Sequence, residues 1–80
     1  MQFSNQEVSN LYKHIGMQVK KAREIKGITQ LSLSLEMGYK SVSLVSAAEL
    51  YTDGKHFNIE HLYKISKVLD VDMEYFFRSL

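Results

Sequence analysis

Three histidines and ten lysines and arginines are the side chains with which this 80-residue chain could do chemistry. His14, His56 and His61 have no cysteine to share a metal with, and no two of them stand four apart around a carboxylate, so the spacing of a zinc site is missing. The serines lack a histidine–aspartate arrangement that could activate one of them, and Gly16, Gly27, Gly38 and Gly54 are too scattered to build a phosphate-cradling loop. The absence of cysteine also excludes disulfide staples and thiol catalysis. No catalytic activity, metal or cofactor is expected. What remains is charge. Lys13, Lys20, Lys21, Arg23 and Lys26 face only Glu24 between positions 13 and 26, whereas Asp70, Asp72 and Glu74 gather near the end. Such a cluster can meet phosphates or simply form a solvated helix face. The net charge of +1 and pI near 8.0 fall short of the basic balance usual in nucleic-acid binders.

The elements that must carry these groups are helical. Eighty residues, 45% hydrophobic and 24% charged, suit one globular domain with a small core, for which pairing with a second copy is a common remedy. No apolar run approaches the roughly 20 residues of a membrane span, and MQFSNQEVSN lacks the basic start and apolar stretch of a signal peptide, so a cytoplasmic location is expected. Ser4 and Glu7 form a capping box, with Phe3 and Val8 as its hydrophobic staple. Val8, Leu11, Tyr12, Ile15, Val19, Ala22 and Ile25 then make one helical stripe, in which Gly16 predicts a bend or a fresh start. Gly27 ends that helix, Thr29 caps a second over Gln30 to Met37, and Gly38 ends it. Ser41 opens a third helix from Val42 to Leu50. The period-two runs Leu31–Leu35 and Val42–Ser46 also fit a β-hairpin, but the leucines and Ala47-Ala48-Glu49-Leu50 favour helices. After a loop turning on Asp53-Gly54, Asn58 caps a fourth helix, and Asp72 caps a last one over 72–80. The expectation is an all-α, compact five-helix domain.

Short helices joined by a glycine-containing turn are the form of a helix-turn-helix, about residues 29–50 here. Arg23, Gly27, Thr29, Gln30, Leu33, Gly38, Val45 and Glu49, followed by Leu62, Ile65, Leu69, Val71 and Phe76, resemble the lambda-repressor/Cro-like (XRE-type) family over about residues 15–77. The resemblance implies a DNA-binding domain in which Arg23 and Glu49 form a structural ion pair and Gln30 holds a backbone phosphate. It also implies a recognition helix that presents Val42, Ser43, Ser46 and Ala47 outward, with Val45 and Ala48 in the core. Lys40, Ser41 and Lys55 flank that helix and complete the expected double-stranded DNA contacts, with Thr52 and His56 nearby. The departure from the pattern lies in the recognition helix, which has no arginine, glutamine or asparagine for bidentate base contacts. Valine and alanine meet only thymine methyls, so specificity must draw on DNA shape, the lysines or dimer spacing.

The C-terminal segment is rich in large apolar groups. Phe76 is expected to close the core, leaving Met73, Phe77 and Leu80 for a homodimer interface, as in the restriction–modification controller proteins to which the chain is similar in length and ending. The expected function is a dimeric, transcription-regulating DNA binder on a palindromic operator. The alternative is an antitoxin-like module that keeps the fold and binds a protein partner.

Overall fold

In the computed structural model, which describes residues 2–79, four α-helices follow one another: α1 (Asn5–Ile25), α2 (Gln30–Glu36), α3 (Ser43–Leu50) and α4 (Ile59–Leu69). Short 3-10 turns, Thr52–Gly54 and Met73–Phe77, lie before and after α4. No strand occurs among the described residues, so the hairpin alternative fails. Of the alternating leucines in α2 only Leu33 reaches the core, while Leu31 and Leu35 stay exposed.

Local chemistry sets the helix ends. The Glu7 backbone N–H donates to Ser4 Oγ at 3.1 Å, and that of Ser32 to Thr29 Oγ1 at 3.0 Å. Each satisfies an orphan donor of a first turn. Gly27 (φ +71°) and Gly38 (φ +97°) turn the chain left-handed after α1 and α2. There the N–H of Ile28 closes on the Arg23 carbonyl at 3.1 Å, and that of Tyr39 on the Ser34 carbonyl at 3.0 Å. Phe3 and Val8, expected as the hydrophobic staple of α1, both remain exposed.

The core gathers Ile15, Val19 and Ala22 of α1 with Leu33, Met37, Val45, Ala48, Phe57, Leu62, Ile65, Leu69 and Phe76. Phe76 is its largest fully buried side chain, and burying a group of that size contributes about 3 kcal/mol. The stripe on α1 is shorter than its sequence period suggests, since Val8, Leu11 and Ile25 stay outside. Gly16 does not interrupt α1, which runs unbroken. It is buried where α1 meets α3, and a Cβ on it would stand 2.6 Å from the carbonyl oxygens of both Ala48 and Glu49. A glycine is needed there for the two backbones to touch.

The expected helix over 72–80 is a 3-10 turn, Met73–Phe77, that gives way to extended backbone at Arg78. Asp72 makes no side-chain cap bond, so nothing nucleates a longer α-helix, and the burial of Phe76 dictates the path. Side chains of α1 hold this segment from below: Gln18 Nε2 donates to the Tyr75 carbonyl at 3.1 Å and His14 Nε2 to that of Arg78 at 2.6 Å. Met73 is half-buried and packs against the core. Phe77 remains partly exposed, and Leu80 lies outside the described residues.

Candidate nucleic-acid interface

The unit formed by α2, its turn and α3 is held from beneath by one buried node. Arg23 Nε donates to Glu49 Oε2 at 2.7 Å and its Nη2 to Glu49 Oε1 at 3.0 Å, a two-pronged guanidinium–carboxylate pair. Its third donor, Nη1, reaches the Ile28 carbonyl at 2.9 Å. Hydrogen bonding to Glu49 holds the guanidinium above its ordinary pKa, against the opposing effect of burial. Gln30 Nε2 donates to Glu49 Oε1 at 2.9 Å. Three donors thus converge on a carboxylate with no side-chain exposure, which removes most of the cost of burying its charge. Together with Gly16 packed beneath Ala48 and Glu49, the node fixes the angle at which α3 is presented.

One face of α3 is spent on this anchoring: Val45, Ala48 and Glu49 are buried. Ser43, Ser46, Ala47 and Leu50 follow at helical spacing on the opposite face, with Ser43 and Leu50 exposed and Ser46 and Ala47 half-buried. Val42 lies one residue before the helix, half-buried, with helical backbone and no side-chain cap bond. The cap is supplied from further upstream. Ser41 Oγ accepts from the Ser43 N–H at 3.3 Å and donates to Ser43 Oγ at 3.2 Å, while Ser46 Oγ donates to the Ser43 carbonyl at 3.2 Å. In that arrangement Ser43 keeps its hydroxyl proton to offer and Ser46 keeps its lone pairs. The face therefore presents one donor, one acceptor, a methyl and an exposed leucine.

The charged candidates surround this face. Lys40, in the turn before α3, and Lys55, after the 3-10 turn Thr52–Gly54, are both exposed. Gln30 is drawn into the node through one amide hydrogen, and its second is left over. The loop carrying Lys55 is braced by a stack absent from the sequence reading: the His56 ring lies 3.8 Å from that of Tyr12, which also stacks on Tyr51 at 5.8 Å. Tyr51 adopts φ +59°, a left-handed conformation costly for a bulky residue, in order to leave α3. A second unread feature is the reciprocal cap of α4. The His61 N–H donates to Asn58 Oδ1 at 2.8 Å, and the Asn58 N–H donates to His61 Nδ1 at 3.0 Å. Histidine here does the work usual for glutamate or glutamine, so composition gave no signal beyond its position three residues after a capping asparagine.

A helix-turn-helix family profile matches residues 19–76, most of the chain, from the second part of α1 through α2, α3 and α4 to Phe76. The chain belongs to the helix-turn-helix family. A search among curated proteins finds no match. This helix-turn-helix protein shows no group of three or more histidine, cysteine, aspartate or glutamate side chains able to hold a metal ion among its described residues. None of its described helices is long and apolar enough to cross a membrane.

Proposed function

We propose that this helix-turn-helix protein is a transcriptional regulator that binds double-stranded DNA as a homodimer on a palindromic operator. The observation that carries this reading is the two-sided α3, anchored inward through Arg23–Glu49 and open outward through Ser43, Ser46 and Ala47. In such a unit the second helix enters the major groove. Gln30 and the exposed Lys40 and Lys55 position the domain on phosphates, with Ser41 and Val42 at the groove's edge. Ser43 and Ser46 then meet base edges and Ala47 a thymine methyl, a set too weak to specify a site alone. Two copies related by a two-fold axis, with recognition helices about 34 Å apart, would add spacing as a second criterion. The test is selection from a random duplex library followed by sequencing. An enriched inverted repeat is expected, and loss of all retention even at low salt refutes the reading. The salt dependence adds a residue-level check. Lys40→Ala and Lys55→Ala should each reduce the slope of log K against log salt by about 0.9, and an unchanged slope would show the docking face to be wrong.

One observation favours a second reading, an antitoxin-like module with a protein partner. Leu31, Leu35 and Leu50 are exposed on the helix-turn-helix itself, where a DNA-binding face gains little from large aliphatic groups. A stable co-purifying protein, with no duplex enriched, would select that reading.

A further inference from the structure

An apolar groove lies between α1 and the loop and first turns of α4, beside the Tyr12–His56 stack. It measures about 320 Å³, and Leu11, Ile15, Phe57, Ile59, Leu62 and Phe77 form its apolar walls. Beside it α1 overhangs the rest of the chain. Its 21 residues span about 31 Å, yet full burial begins only at Ile15. Val8 and Leu11, one turn apart on the overhang, keep 38% and 37% of their surface exposed, and Phe3 just before it keeps 73%. Ile59 and Phe77 on the groove's lip keep 68% and 36%.

We infer that the overhang and groove form a two-fold interface with a second copy of this chain, each overhang covering the other's groove. The inference rests on the homodimer reading above and names its surface, moving the centre from the last turn to α1 and α4. Self-complementarity is the first support: an apolar ridge and an apolar groove side by side on one molecule satisfy each other when a two-fold axis passes between them. Area is the second. Phe3, Val8, Leu11, Ile59 and Phe77 put five large, exposed apolar side chains towards the roughly 800 Å² each partner contributes to a standard interface. Other exposed apolar groups do not offer this. Met17 and Ile25, for example, stand among Lys20, Lys21 and Glu24. The groove is lined by α1, α4 and neighbouring loops, with no residue of α3 among them.

The test is sedimentation equilibrium of the full chain at micromolar concentration, with Ile59→Glu, Val8→Glu and the control Leu35→Glu. Glutamate is well tolerated in the first turn of a helix, where Ile59 and Val8 stand, so both variants should keep their far-UV helical spectra. Wild type and Leu35→Glu are expected to be dimers. Each interface variant should raise the dimer dissociation constant at least a hundredfold, since every substitution enters a two-fold interface twice. A dimer undisturbed by Ile59→Glu and Val8→Glu, or one broken by Leu35→Glu, overturns this surface while the homodimer survives. A wild-type monomer overturns both. A dimer that binds no duplex overturns the DNA reading and leaves the interface standing.

Discussion

Replacing Gly16 by alanine sets two effects of opposite sign against each other. Within an ordinary exposed helix the change stabilises by about 1 kcal/mol, because alanine loses less backbone freedom. In this fold the added Cβ would stand 2.6 Å from two carbonyl oxygens, those of Ala48 and Glu49, and neither can rotate aside because both belong to backbone. Relief requires α1 and α3 to separate by several tenths of an ångström, and overpacking of this kind costs about 1–3 kcal/mol or more. The movement also stretches the Arg23–Glu49 pair, since Glu49 is one of the two residues displaced. A net destabilisation of about 2 kcal/mol is expected, which for a domain of this size lowers Tm by roughly 8–16 °C. Thermal unfolding followed by circular dichroism measures it directly. A Gly16→Ala variant that melts at or above the wild-type temperature would refute the close α1–α3 contact.

Three other substitutions probe separate parts of the fold. Arg23→Lys keeps the charge but not the fork, leaving Glu49 with poorer company at zero exposure, and should cost about 2 kcal/mol in denaturant unfolding. Burial pushes the His61 imidazole below its ordinary pKa, with the charges of Lys64 and His56 acting in the same direction and Glu60 opposing. Stability should therefore hold above pH 6.5, the ordinary histidine value, and fall as pH drops through the lower folded-state value, because the unfolded chain takes up the proton first. Protonation also removes the Nδ1 acceptor from the Asn58 N–H, a loss comparable to a helix cap at about 1 kcal/mol. His61→Gln should flatten that limb of the pH–stability profile. Ser34 Oγ is fully buried and has no hydrogen-bond partner among the described residues, so Ser34→Ala should raise stability by about 1 kcal/mol, and a fall in Cm would reveal a partner.

What the sequence disclosed was mostly what is decided locally. Thr29, Gly27, Gly38 and Asn58 act within a few residues of themselves, so their types and spacing announce the helix ends correctly. Val45, Ala48 and Phe76 follow the family pattern into the core. What the sequence left undisclosed has a different cause. Gly16 looks like a weak point of α1 when only its own helix is considered, but its reason lies more than thirty positions later, at Ala48 and Glu49. His61 shows no role in the sequence beyond lacking the spacing of a metal ligand, and its part in the cap emerges only when its ring is placed against Asn58. Gln30 reads as a phosphate ligand by resemblance, whereas its geometry also assigns it to Glu49. The segment after Asp72 carries enough apolar residues for a helix, yet tertiary burial of a single phenylalanine sets its course. The apolar period of α1 likewise continues past the region that its own domain can cover.

On α3, the residues that are held and the residues that are shown do not overlap. Val45, Ala48 and Glu49 belong to the anchored side, while Ser43, Ser46, Ala47 and Leu50 lie across the helix from them. Folding therefore places little constraint on the outward four. A duplicated copy of this gene could exchange them one at a time, arginine for serine or glutamine for alanine, and acquire a new target while inheriting an intact scaffold.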